Sequence, residues 1–291
     1  MINTLSIIAE QVLLHVPLML GAYISFSLLK VPDLSIESAY VVGALIGSKV
    51  LIGMQGMPMG LVLPAVLLAS AGGGALVGLT SSIITQQARI PHLLSCIITS
   101  GLFHGITQLV SSPYVSFPHD YNPLTLLGTE LTTIAIIGAS VTVCCSYVLC
   151  KQLGYAFAIY GNNPYFFGNY GISTVYIFIT GIAMSNALAG ISGYLIAQSS
   201  NFLELNMGAG KALLCITALI IGKSLTPTKK PFSSIIPLVG TGAYFALQQS
   251  LLKAGFNLKY FTAVQALLVL IILVYTYHSK QNRGHIDNLG V

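Results

Sequence analysis

Apolar residues run through this chain in long unbroken blocks, with polar residues confined to the breaks between them. A helix needs about 20 apolar residues to cross a bilayer core. On that measure the pattern predicts nine spans, near 5–29, 36–53, 59–80, 91–111, 126–150, 172–198, 209–224, 232–252 and 260–278. The second and seventh are short and interrupted by Gly and charge, so eight to ten spans fit the same pattern. The predicted fold class is therefore all-α, a polytopic membrane protein with about nine (8–10) transmembrane helices. Breaks are short. The longest are 112–123 and 151–171, and a polar tail fills 279–291. The expected organisation is one membrane domain over 1–278, with 151–171 as its main loop, followed by that tail.

Composition narrows the class. Among 291 residues there are 12 Lys+Arg and 7 Asp+Glu, only 7% charged, against 55% hydrophobic and a mean hydropathy of +0.83. A soluble fold of this size would lack the polar surface to cover its core, and a disordered chain would not carry so much apolar area. The net charge of +5 forms no basic stripe with interleaved aromatics, so nucleic acid is not an expected partner; membrane lipid is. With the N-terminus outside, Lys30, Arg89, Lys151, Lys223, Lys229, Lys230, Lys280 and Arg283 fall on the cytoplasmic side. Lys49, Lys211, Lys253 and Lys259 fall on the other. Eight against four favours that orientation, with the C-terminus inside. The first Lys is Lys30, so the N-terminal block reads as a retained span rather than a cleaved leader.

Candidate chemistry is sparse. Gly222-Lys223-Ser224 imitates the end of a phosphate loop, but position 217 is Thr where that loop needs Gly. No nucleophile elbow, HExxH or paired carboxylates appear, so no catalytic residues, cofactor or metal are expected. Cys96, Cys144, Cys145, Cys150 and Cys215 lack metal-ligand spacing and read as small apolar packers. The histidines are isolated, and His15 and His104, within apolar spans, read as structural. Glycines cluster inside spans, among them Gly72, Gly73, Gly74 and Gly78, then Gly181, Gly190 and Gly193. They suit close helix crossings, whether around a pathway or in ordinary bundle packing.

The most informative stretch opens GNNPYFFGNYGI at Gly161. Asn163 can cap a short helix with Pro164 at its first position, and Gly168 and Gly171 would end or bend it. Placed on the cytoplasmic face, such a helix suits docking to a partner, or forms a plain interhelical loop.

The whole stretch GNNPYFFGNYGISTVYIFITGIAMSNALAGISGYLIAQSSNFLELNMGAGKALLCITALIIGKSL resembles permease subunits of bacterial ABC importers. The family is that of branched-chain amino-acid and simple-sugar permeases, and the likeness is greatest to an uncharacterised branch paired with lipoprotein-like binding proteins. VPDLSIESAYVVGALIG and ARIPHLLSCIITSGLFHGI resemble further segments of that branch, in the expected order. The resemblance implies that Gly161, Asn162, Asn163, Pro164, Gly168 and Gly171 form the loop that couples to an ATP-binding subunit. It implies as partners two ATP-binding subunits, an extracytoplasmic solute-binding protein and a second permease subunit, identical or homologous, in the bacterial inner membrane. ATP hydrolysis would then belong to the partners, and this chain would form the solute pathway by alternating access. The substrate implied is an amino acid or another small polar solute. Two positions depart from the family: Phe167-Gly168 stands where a small residue and Arg are usual, and Lys223 where Glu is common.

Internal comparison adds one expectation. PDLSIESAYVVGALIGSK (32–49) and LELNMGAGKALLCITALIIGKS (203–224) each lead from an acidic residue through a Gly-interrupted apolar segment to Lys. They would run in opposite directions, as paired short segments of inverted repeats do around a central site. Asp33, Glu37, Ser38 and Asn206, at their polar ends, are the candidate pathway residues. For Glu37 a structural helix cap is the competing role. The rival function is an ion-coupled secondary transporter, which would need a relay of ionisable residues deep in the spans. Its candidates are Glu10, Glu37, Glu130, Lys49 and Lys211.

Overall fold

The computed structural model describes residues 2–117, 122–126, 128–226, 233–255, 263–267 and 270–271. Helix α1 (Ile2–Ala22) continues directly into a π-helical turn, Tyr23–Leu28. Helices α2 (Ile36–Gly53), α3 (Met59–Ala88), α4 (His92–Val110) and α5 (Glu130–Leu149) follow. Then come α6 (Gln152–Asn162), α7 (Thr174–Ser199), α8 (Lys211–Leu225) and α9 (Ile235–Lys253). Among the described residues seven helices, all but α6 and α8, are long and apolar enough to cross a membrane.

The chain is thus an all-α polytopic membrane protein, and the first eight expected spans each fall on a helix. The seventh is shorter than a full span. With 15 residues, α8 reaches about 22 Å at a rise of about 1.5 Å per residue, less than the bilayer core. The ninth span, 260–278, lies largely outside the described residues, as do the tail 279–291, Asp120, Lys229, Lys230, Lys259, Lys280 and Arg283. Two elements differ from the expectation. Helix α6 occupies most of the segment read as loop, because Phe157 is fully buried there and packs over Gly181. A short antiparallel ribbon joins β1 (Tyr114–Ser116) to β2 (Phe202–Glu204), with Val115 opposite Leu203. Three-residue strands leave no readable alternation.

Helix α7 is the centre of the bundle, and small residues set its crossings. A Cβ on Gly193 would overlap the Tyr40 carbonyl of α2, and one on Gly74 would overlap the Asn186 carbonyl. Gly43 and Gly190 bring α2 and α7 together beside the Ser70 carbonyl of α3. Without a hydrophobic drive between helices in lipid, such close backbone approach is what dispersion packing requires.

Two stretches enter this bundle without crossing it. After the π-helical turn the chain reverses at Lys30, whose φ is 56°. It runs back inside, where Asn186, midway along α7, donates from Nδ2 to Asp33 Oδ2 at 2.7 Å. Helix α2 starts there and heads for the β-ribbon end, with Gly47 against Tyr194. From that end, residues 205–210 fold inward after β2, and Gly208 sits against the Glu37 backbone. Gly210 takes a left-handed φ of 78° and starts α8. Helix α8 runs the other way, and just beyond its end Ser233 donates its N–H to Tyr23 Oη at 2.9 Å. The N-termini of α2 and α8 therefore meet inside the bundle.

Candidate functional site

A cavity of about 310 Å³ opens where these helix starts meet α4. Its polar lining is Glu37 and Ser38 from α2, Ser100, His104 and Thr107 from α4, and Asn206 from the inward-folding segment. Three of the four candidate pathway residues, Glu37, Ser38 and Asn206, are thus together at one site. Half-buried Glu37 accepts through Oε1 from the Ala212 backbone N–H at 3.2 Å. The carboxylate lies at the positive end of α8, and the anion is stabilised by unpaired helix N–H groups. Its cap role is real, but the helix it caps is α8, not its own. Ser38 Oγ donates to the Ser100 carbonyl at 3.4 Å, tying α2 to α4. Asn206 is exposed to the opening.

Asp33 is placed differently. It is fully buried outside this lining, and Oδ1 accepts from the Ser35 N–H at 2.9 Å and the Ser35 hydroxyl at 2.5 Å. Cys96 Sγ lies 3.2 Å from the same oxygen and 3.2 Å from His92 Nε2. The reading of Cys96 as a mere apolar packer is corrected here, and His92 is not isolated. The spacing His92-x-x-x-Cys96 carried that signal, since i and i+4 share one helix face. Asp33, 59 residues upstream by number, could not be joined to them without the fold.

Ser100, His104 and Thr107 were also not among the expected pathway residues. They stand four and three apart in an apolar span, which draws a polar stripe down one face of α4. Lys211, counted on the outer side by charge, lies inside. Its Nζ is 3.3 Å from His15 Nε2 and 5.1 Å from the Tyr40 ring centre. The aromatic face and the imidazole nitrogen together hold this ammonium in the interior.

The expected docking loop folds as a short 3₁₀ helix, Pro164–Tyr170, on the end of α6. Asn163 Oδ1 accepts from the Tyr165 N–H at 3.2 Å, in the capping role expected, and Pro164 takes the first position. Gly171, with φ 68°, ends the turn, whereas Gly168 lies within it. Asn162 Oδ1 accepts from Lys30 Nζ at 2.5 Å. Gly161 presses against the Leu28 carbonyl, where a Cβ would overlap. Tyr165 and Tyr170 are 85% and 67% exposed, an aromatic surface pointing away from the bundle.

A family model described as the permease component of a branched-chain amino acid transport system matches residues 5–273. The chain belongs to this permease family. The permease is 30% identical over 226 residues to an uncharacterised protein of Rickettsia prowazekii (strain Madrid E), covering 77% of this chain and 78% of the relative. It is 29% identical over 278 residues to a tyrosine transport system permease protein of Clostridioides difficile (strain R20291), covering 91% and 89%. The autoinducer 2 import system permease protein of Escherichia coli (strain K12 / DH10B) is 25% identical over 188 residues, 62% of this chain and 54% of the relative. No solved structure matches the permease. The family assignment made from sequence segments therefore stands, as that of a permease component of an ABC-type importer family.

Proposed function

We propose that this permease forms the solute pathway of an ATP-driven importer in a bacterial inner membrane, and that the cavity at Glu37 is its substrate site. The observation that carries this reading is the meeting of two oppositely directed helix starts, α2 and α8, at a half-open cavity whose lining carries Glu37 and several hydroxyls. Discontinuous segments of this kind expose unpaired helix ends, which recognise charged solutes at the middle of inverted-repeat transporters. Glu37 and the hydroxyls of Ser38, Ser100 and Thr107 offer acceptors and donors suited to an amino acid or other small polar solute. The tyrosine transport relative supports that class.

The coupling surface in this proposal is 161–171, which would dock an ATP-binding subunit through the Pro164–Tyr170 turn. A second permease subunit, two ATP-binding subunits and a solute-binding protein complete the assembly. Ion-coupled transport is less well supported. Glu10 accepts from Ser199 Oγ at the last residue of α7, and Glu130 opens α5. Glu10 lies within α1 and pairs with Ser199, Glu130 pairs with Asn122, and neither acid continues Glu37 into a relay.

Gly101 gives a clean test. It lines the cavity, and a Cβ built on it meets nothing within 4 Å. Gly101→Leu should fill the cavity without disturbing helix packing. Reconstituted with its ATP-binding and solute-binding partners, the variant should lose uptake while keeping its abundance and basal ATPase activity. Uptake at the unaltered rate would remove this cavity from the pathway.

A further inference from the structure

Beside the cavity, three side chains converge with the donor atoms of a metal site, all within 4.8 Å of one another. His92 Nε2 and Asp33 Oδ1 are 3.7 Å apart, and Cys96 Sγ is 3.2 Å from each. All three residues are buried. The Thr85 hydroxyl donates to the Ser81 carbonyl at 2.8 Å, so toward His92 Nδ1, 2.9 Å away, it can only accept. His92 then carries a proton on Nδ1, and in the neutral ring its Nε2 lone pair faces inward. A carboxylate oxygen, to which the Ser35 N–H and hydroxyl also donate, an imidazole nitrogen and a sulfur face one another. Oxygen, nitrogen and sulfur donors gathered in an apolar interior are the donor set of a cation site, and His92 is the one basic side chain within 4.0 Å of Asp33 among the described residues.

We infer that Asp33, His92 and Cys96 form a binding site for a divalent metal of the zinc class. Tetrahedral zinc holds O, N and S donors at roughly 2.0–2.3 Å, which sets neighbouring donors roughly 3.3–3.8 Å apart. The spacings of 3.2, 3.2 and 3.7 Å need only small adjustment to meet that. On binding, the Cys96 thiol gives up its proton to solvent and becomes a thiolate ligand. Carboxylate and thiolate then carry two negative charges against two positive ones, so the site is neutral in an apolar interior. Sulfur and imidazole donors favour zinc over magnesium or calcium. The outer contacts are those a metal site uses: Thr85 fixes the imidazole, and Asn186 Nδ2 holds the second carboxylate oxygen at 2.7 Å. The fourth position is left to water. The metal would fasten the first turn of α4 to the inward segment that starts α2, beside the cavity.

The test uses the full-length permease in detergent, with the exposed Cys144 and Cys150 replaced by Ser. After chelation, Co²⁺ is added as a spectroscopic probe and unbound metal is removed by desalting. One Co²⁺ per chain should remain, with a thiolate-to-cobalt charge-transfer band, and Zn²⁺ should displace it. X-ray absorption should find one sulfur and otherwise nitrogen or oxygen in the first shell. Cys96→Ser keeps a hydroxyl donor toward Asp33, and His92→Gln keeps a polar amide. Each should weaken binding by more than about tenfold. Metal lost on desalting, a first shell with no sulfur or with two, or a folded variant that binds as tightly as the parent would overturn the site. Should neither variant fold, the parent's retention and first shell decide the matter.

Discussion

Lys30 Nζ donates to Asn162 Oδ1 at 2.5 Å, joining the start of the inward segment to the end of α6 across 132 residues of sequence. One end of this link leads into the proposed coupling turn, and the other leads through Asp33 to α2 and the cavity. Movement of the turn would therefore reach the cavity wall through this short connection, beside the contact of Gly161 with the Leu28 carbonyl. Both side chains are exposed, and an exposed polar pair contributes at most about 1 kcal/mol to stability. Lys30→Met and Asn162→Ala should each lower uptake several-fold at unchanged melting temperature. The double variant should fall no further, because both remove the same link. Additive losses would show that the two residues act separately.

Asn163 and Pro164 start the coupling turn, and losing a cap costs about 1 kcal/mol of local helix stability. Asn163→Ala combined with Pro164→Ala should leave insertion and abundance near normal, since Asn163 and Pro164 are exposed. Substrate-stimulated ATPase activity should fall. Stimulation equal to the parent's would place the dock elsewhere.

Glycine positions divide by what surrounds them. At Gly193 a Cβ would meet the Tyr40 backbone carbonyl, which cannot rotate away, whereas at Gly72 it meets nothing within 4 Å. Gly193→Ala should destabilise the permease by about 1–3 kcal/mol through overpacking. Gly72→Ala should be neutral or slightly stabilising, as expected for Gly→Ala within a helix. Thermal unfolding of the two variants in detergent compares them directly. Equal melting temperatures would mean that α2 and α7 can separate at no cost.

These two glycines also mark what the sequence could and could not reveal. Periodic apolar blocks located eight helices, because span length depends on bilayer thickness and little else. The start of the coupling turn was legible for a local reason, since Asn163-Pro164 is capping chemistry within two residues. The cavity was half legible. Glu37, Ser38 and Asn206 stood out as polar ends of two similar segments, but Ser100, His104 and Thr107 belong to a third helix that carries no such likeness. Asp33 and Asn186 are 153 residues apart, and only the fold brings them together. In the glycine run, Gly72 and Gly74 look alike in sequence, and only helix phase decides that Gly74 faces Asn186 while Gly72 faces outward.

Orientation is tested with residues at the two ends of the bundle. Tyr114 lies on the β-ribbon and is 66% exposed, and Tyr165 lies on the coupling turn and is 85% exposed. Lys30 and Lys151 lie with the coupling turn, at the end the charge bias assigns to the cytoplasm. Single Cys reporters at Tyr114 and Tyr165, with Cys144 and Cys150 replaced by Ser, should label oppositely with an impermeant thiol reagent. In intact spheroplasts only the Tyr114 reporter should react. Labelling of the Tyr165 reporter there would invert the bundle and move the dock outside.

Glu37 separates the transport role from the structural one. Its carboxylate accepts from the Ala212 N–H at the start of α8 and lines the cavity at the same time. Glu37→Gln keeps an amide oxygen that can accept the same hydrogen bond, so the cap is preserved, and only the charge is lost. Removing the charge forfeits its interaction with the helix end, about 0.3–1 kcal/mol, too little to unfold the bundle. If Glu37 binds the solute, the variant should lose uptake at least about tenfold, the loss expected when a hydrogen bond to a charged group, worth about 1.5–3 kcal/mol, is removed. Abundance, assembly and basal ATPase activity should remain. Glu37→Leu should in addition lower the melting temperature, because the α8 N–H groups then have no acceptor. Full uptake by Glu37→Gln would leave Glu37 as the cap of α8 alone. A Gln variant that fails to assemble would show that the charge itself holds the two helix starts together.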